Sequence, residues 1–226
     1  MQTPMIPDTR LRSAVPYLKR GGRVIDVGTD HAYLPIYLVR EGISSHALAC
    51  DINRGPIVSA QGNIAAAGLE VQIDTLQTDG LHKTESFCPD DVMIFGMGGE
   101  LIVRILSEAP WVKDASIGLI LQPMTRASVL RRWLLDNGFA ITGETITFED
   151  KYYQTVAARF CGVSERFDDV ELLVGRRNIQ TRPPLFEGFV RHEIHVLDAI
   201  IAGKSRSASA DVSEEMRMKK RLEELL

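Results

Sequence analysis

Short apolar runs and amphipathic stretches alternate at a regular pace from residue 23 to about residue 160. "RVIDVG" (23–28), "HALACDI" (46–52), "VQIDTLQTD" (71–79), "DVMIFG" (91–96) and "IGLILQP" (117–123) are bounded by Gly, Pro or Asp, and this pattern predicts strands. Between them, "HAYLPIYLVREG" (31–42), "PIVSAQGNIAAAG" (56–68), "LIVRILSEA" (101–109) and "RASVLRRWLLDNG" (126–138) predict helices. Pro35 falls in the first turns of its helix, where a missing amide is tolerated, and Gly42 closes that helix. Strands that alternate with helices in this way form βαβ units and a parallel sheet covered on both faces. After Gly138 the rhythm breaks. "FAITGETITFED" and "KYYQTVAARF" follow one another with no helix between them, which predicts a closing hairpin with one strand antiparallel to the rest.

Beyond Gly162 the character changes again. "PLFEGFVRHEIHVLDAIIAG" (184–203) puts Phe186, Phe189, Val190, Ile194, Leu197, Ile200 and Ile201 on one face at spacings of three and four. The Ser-rich "KSRSASADVS" separates it from the charged "EEMRMKKRLEELL", which predicts a helical, coiled-coil-like hairpin appended to the sheet. Two regions are expected: an α/β domain over 1–162 and a helical region over 163–226. Five βα units closed by a β-hairpin is the outline of a Rossmann-like class I methyltransferase sheet. An ordinary dinucleotide-binding fold would place another helix before its last strand.

Composition narrows the function classes. A net charge of −4 argues against a protein that coats nucleic acid unspecifically, but leaves room for local basic patches. Arg10, Arg12, Lys19, Arg20 and Arg23 form one such cluster in the sequence, and Arg131 with Arg132 another. Cys50, Cys88 and Cys161 lie far apart, and the five histidines show no ligand spacing, so free thiols and no metal site are expected. The opening "MQTPMIPDTRLRS" has no apolar core of a leader, and no run is long enough to cross a membrane. A cytoplasmic monomer is the expectation.

The chemistry centres on "DVGTDHAYLP" (26–35), a strand running into a Gly turn and a helix. A pyrophosphate needs several glycines at such a turn so that it can reach backbone amides. Here only Gly28 is present, and Asp30 would repel the phosphates. S-adenosylmethionine carries an ammonium and a sulfonium instead, so the loop favours that cofactor, with Asp26 and Gly28 forming the acidic-then-Gly turn. Asp51 ends the second strand, where a carboxylate can accept both ribose hydroxyls, and Ile52 follows it. Asp79 and Gly80 end the third strand, in the place of an adenine contact or of a plain turn. Gly96, Met97 and Gly98 belong to "GMGG", at the strand end where open α/β sheets bind ligands.

"DVGTDHAYLP", "DINRGPI", "GMGGELI", "LQP", "WLLDNGF" and "KYYQTVAA", in this order, resemble the bacterial tRNA adenine-N1 methyltransferases that act at position 22 of tRNA, the TrmK family. The resemblance spans about residues 10 to 160 motif by motif, and the helical tail only in kind. It implies S-adenosylmethionine as methyl donor, tRNA as substrate and a tail that helps hold the RNA. Two departures stand out: the family commonly reads "LQPN" where this chain reads "LQPM", and Asn-Gly where it has Asp79 and Gly80. Met124 therefore replaces an amide that could orient the base, with Gln122, beside Pro123, as a substitute.

N1 of adenine attacks the sulfonium methyl in line, so positioning dominates and no enzyme nucleophile is needed. Because N1 lies on the pairing edge, the base must leave its stack. Asp30 is expected to stabilise the cationic product base, and Tyr33 to stack on it or hydrogen-bond. His31 is expected to brace the loop, Arg12 to bind the cofactor carboxylate or RNA, and Arg131 and Arg132 to bind phosphates. The same sheet also serves methyltransferases of small molecules or proteins, and a non-catalytic RNA-binding protein could retain it. A nicotinamide-dependent dehydrogenase is disfavoured by the loop.

Overall fold

A computed structural model describes residues 7–205 and 211–226; the first six residues and the middle of the Ser-rich segment lie outside the described residues. Seven strands form one sheet in the order β3-β2-β1-β4-β5-β7-β6. β1 (Gly22–Val27), β2 (Ser44–Asp51), β3 (Ile73–Gln77), β4 (Asp91–Met97) and β5 (Gly118–Pro123) are parallel. β6 (Phe139–Phe148) and β7 (Tyr152–Phe160) form the closing hairpin, and β7 runs antiparallel beside β5. The five parallel strands and the hairpin were legible from the apolar runs alone. The third strand is shorter than its apolar pattern, because Val71 is exposed and the chain enters the sheet only at Ile73.

The helices α2 (Tyr33–Arg40), α3 (Arg54–Ala67), α4 (Gly99–Ser107) and α5 (Ala127–Asp136) follow β1, β2, β4 and β5. β3 is joined to β4 by a loop with a single 3-10 turn over Glu85–Phe87, so there are four βα units rather than the expected five. They cover two faces, so the buried side chains form two cores. One contains Ile25, Ile94, Leu119 and Leu134; the other contains Val24, Leu38, Met93 and Ile64. Because strand side chains alternate between faces, Val24 and Ile25 serve opposite cores. A short helix, α1 (Thr9–Arg12), precedes the sheet, and Asp8 caps it by accepting from the Leu11 amide at 2.7 Å.

The chain order of the strands reverses between β1 and β4. Loops leaving the carboxyl ends of these two strands diverge there and leave a crevice, the usual ligand position in an open α/β sheet.

The tail is more elaborate than its pattern suggests. Before the long helix α8 (Phe186–Lys204) stand two short ones, α6 (Asp169–Val174) and α7 (Arg176–Thr181). α9 (Ser213–Glu223) completes it and packs along α8. Phe186, Phe189 and Val190 are buried with Val170, Val174, Leu222 and Ile146 of β6, whereas Ile200 is exposed, so only the first half of the α8 stripe meets the sheet.

Candidate active site

A cavity of about 430 Å³ opens in the crevice between β1 and β4. Asp26, Gly28, Thr29, Asp30, His31 and Tyr33 form one wall, Phe95, Gly96 and Met97 another, and Asp51 closes a third side. Arg10 and Leu11 reach over from α1. The sequence-predicted residues Asp26, Gly28, Asp30, His31, Tyr33, Asp51, Gly96 and Met97 are thus brought together.

The local backbone explains the loop. Gly28 has φ +80° and its amide donates to the Cys50 carbonyl at 2.8 Å, tying the turn to the end of β2. A Cβ there would sit 2.4 Å from Met97 Cε, so Gly28 keeps the floor between the β1 and β4 loops open. Ala32 takes the left-handed region at φ 56°, a strained conformation for a residue with a Cβ, immediately before α2. That bend swings His31 and Tyr33 into register, with rings stacked at 5.0 Å. The Asn63 amide fixes the loop from α3 by donating to the His31 carbonyl at 3.0 Å.

The carboxylates differ in setting. Asp26 is buried, and burial pushes its carboxyl up to about 6; the Thr29 hydroxyl opposes the shift and the charge of Asp51 adds to it. Asp51 accepts from the Asn53 amide at 2.7 Å, which holds its carboxylate at the strand end. Asp30 is mostly exposed at the rim, with an oxygen 3.3 Å from His31 Nε2. Four acids, Asp8, Asp26, Asp30 and Asp51, line the cavity against one guanidinium, that of Arg10. Such a lining repels a pyrophosphate and suits a cationic nucleoside cofactor that carries one carboxylate.

Several expectations need correction. Arg12 is exposed and does not line the cavity; Arg10, two residues earlier in α1, does. Gln122 does not face a substrate base: its side chain is fully buried beneath α1, and Pro123 beside it is buried too. Arg131 is not a phosphate contact. Its side chain is completely buried, donating to Glu144 at 2.7 Å, to Gln154 at 2.8 Å and to the Leu172 and Leu173 carbonyls. Asp79 stands apart from these: it lies exposed just past the end of β3, where Arg104 of α4 pairs with it at 2.9 Å and lowers its pKa, and Gly80 supports that turn with φ +56°. Ile52 is likewise exposed, beside Asp51 at the same edge of the sheet.

Within "GMGG" the duties divide. Gly96 takes φ +77° and lines the cavity, while Gly98 and Gly99 dock the β5–α5 loop. A Cβ on Gly99 would come within 2.4 Å of the Arg126 carbonyl. The N-terminal basic cluster is also split: Lys19 pairs with Asp90, and Arg23 lies over the Phe87 ring, both at the amino ends of β1 and β4, opposite the cavity.

A larger cavity, of about 550 Å³, lies between α5, α6 and α9 and includes Arg126, Arg132, Arg217 and Arg221. Arg132 there faces Asp169 at 3.3 Å. Size does not decide between the two. Only the smaller one sits at the crevice with convergent polar groups. Among the described residues no cluster of His, Cys, Asp and Glu could hold a metal ion, and no helix is long and apolar enough to cross a membrane.

The fold and this crevice define a class, the methyltransferases built on a Rossmann-like sheet, and the family model described as "Methyltransferase domain" matches residues 8–156. The tRNA (adenine(22)-N(1))-methyltransferase of Bacillus subtilis is 36% identical over 170 residues, covering 74% of this chain and 70% of that protein. The crystal structure of the B. subtilis tRNA methyltransferase TrmK superposes with a TM-score of 0.78 at 30% identity, covering 97% of this chain and 95% of that one. A Streptococcus pneumoniae protein solved in complex with S-adenosyl-L-methionine gives a TM-score of 0.84 at 31% identity, over 96% and 99% of the two chains. This chain belongs to the tRNA (adenine(22)-N(1))-methyltransferase family, TrmK.

Proposed function

We propose that this chain transfers the methyl group of S-adenosylmethionine to N1 of adenine 22 in tRNA. The observation that carries the reading is the crevice cavity, with four carboxylates and one guanidinium around a Gly28 floor. Bound there, the cofactor would supply an electrophilic sulfonium methyl. Asp26 would hold the amino acid's ammonium, Arg10 its carboxylate and Asp51 the ribose hydroxyls. Gly28, Gly96 and Met97 would shape the space between them.

Asp30, at the rim, would face the incoming base and stabilise the positive charge that develops on it. Tyr33, stacked on His31, would give that base an aromatic surface. RNA phosphates would be met by local cations rather than by net charge; Arg126 and Arg217, which line the cavity at the junction of α5 and α9, are the candidates. The helical region over 163–226 would then act as the RNA-holding part. On this reading the chain works as a monomer in the cytoplasm, where tRNA resides.

Incubation with methyl-labelled S-adenosylmethionine and unmodified bacterial tRNA, followed by nucleoside analysis, tests the reading. 1-Methyladenosine at position 22 supports it. Cofactor binding with no methylated RNA would redirect the activity to another substrate.

A further inference from the structure

We propose that Gln122 is a positioning residue that aims Arg10 at the carboxylate of the cofactor; this rests on the reading above that the cofactor is S-adenosylmethionine. Gln122 is the penultimate residue of β5 and its side chain is fully buried, yet every polar atom of it is used. Its Oε1 accepts from Arg10 Nη1 at 3.0 Å, and its Nε2 donates to the Arg10 carbonyl at 3.1 Å and to Thr155 Oγ1 at 2.9 Å. The orientation of the amide is determined by chemistry, since a guanidinium can only donate and a carbonyl can only accept. Both ends of one residue, its backbone and its charged tip, are thus gripped by a single side chain.

The grip is reinforced from below. Ser13 Oγ donates to the same Arg10 carbonyl at 2.6 Å and lies 2.6 Å from Thr155 Oγ1. Gln122, Ser13 and Thr155 are all buried, so this cluster anchors α1 across the ends of β5 and β7. The Tyr153 ring, 5.4 Å below the Arg10 guanidinium, completes the seat.

An amide suits this task better than a carboxylate would. A neutral oxygen fixes the direction of the guanidinium while leaving its positive charge for a ligand, whereas a glutamate would neutralise it. Asp8, 3.7 Å from Arg10 Nε, is the competing partner that the Gln122 contact restrains.

The test uses two probes: S-adenosylhomocysteine, which has the amino acid carboxylate, and methylthioadenosine, which keeps the nucleoside and thioether but lacks it. Each is titrated by calorimetry into the wild-type chain, Gln122→Ala, Gln122→Glu, Arg10→Ala and the Arg10→Ala/Gln122→Ala double variant. Gln122→Ala is expected to weaken S-adenosylhomocysteine about tenfold or more, the scale of a hydrogen bond to a charged group, and methylthioadenosine less than twofold. Gln122→Glu, which keeps the volume should the alanine variant not fold, is expected to show the same selectivity. In the Arg10→Ala background, Gln122→Ala is expected to add nothing. Equal losses for both probes, or no loss, overturn the positioning role. Binding of neither probe by the wild-type chain overturns the cofactor reading, and this proposal with it.

Discussion

Asp26 and Gly28 carry opposite demands two residues apart. Asp26 titrates near 6 because it is buried, so a cationic ligand must find it ionised. Affinity for S-adenosylhomocysteine is therefore expected to be level above pH 7 and to fall by up to about tenfold per pH unit well below pH 6. Asp26→Asn is expected to bind weakly and to lose that pH dependence; a wild-type profile in the variant would assign the titration elsewhere. Gly28→Ala fails for a different reason: φ +80° is a left-handed backbone that a residue with a Cβ resists, and the tip of Met97 must also move aside. Calorimetry should show the cofactor affinity of this variant reduced by more than tenfold. These residues were legible because a strand, an acid and a glycine in sequence already state a backbone geometry. Arg10 was not: in the sequence it is one of several neighbouring cations, and only the fold distinguishes it, by placing it in the cavity wall above the buried Gln122.

Among the elements, α6 and α7 show how a buried ion pair builds structure. Arg131 donates to carbonyls in the last turn of α6, which would otherwise lack partners. Glu144, its partner, accepts from the Arg177 amide in the first turn of α7 at 2.9 Å, where a carboxylate also suits the helix dipole. Gly175 lies between the two helices at φ +96°, and a Cβ there would strike the Glu144 carboxylate. Neither helix has an apolar period long enough to read, so both were missed. Arg131 did leave a signal, because it shares a helical face with Leu134 and Leu135, both buried. Arg131→Ala would leave Glu144 buried and unpaired, and thermal unfolding is expected to show a loss of about 3–5 kcal/mol.

Glu193 of α8 extends the same region, its carboxyl pushed up to about 7 by burial, with Arg131 opposing the shift. In the folded chain it holds its proton longer than the unfolded chain does. Between pH 4.5 and 7 folding thus takes up a proton, and stability falls as pH rises through that window. Glu193→Gln is expected to raise the melting temperature at pH 8 and to leave it unchanged at pH 4. An equal change at both values would mean that the charge of Glu193 is not what is felt.

At the scale of the whole molecule, cofactor and tail are separable. Every residue lining the crevice cavity lies between Asp8 and Met97, whereas α9 is attached to the rest through α8, α6 and the core around Leu222. Leu222 is the one buried residue of α9, fully enclosed with Phe186, Phe189 and Val190. Arg221 adds an ion pair to Asp168 at 2.6 Å, but that pair is partly exposed and contributes little. Truncating Leu222 to Ala would remove about 2–5 kcal/mol of packing at this joint, enough to loosen α9 while leaving the sheet intact. If the tail holds RNA, the Leu222→Ala variant should bind S-adenosylhomocysteine within twofold of wild type while its KM for tRNA rises about tenfold or more. The RNA affinity that is lost should be the salt-dependent part, because phosphate contacts at the α5–α9 junction would release counterions. An unchanged KM would place the RNA on the rim of the crevice alone, and α9 would then serve only to cover the apolar face of α8.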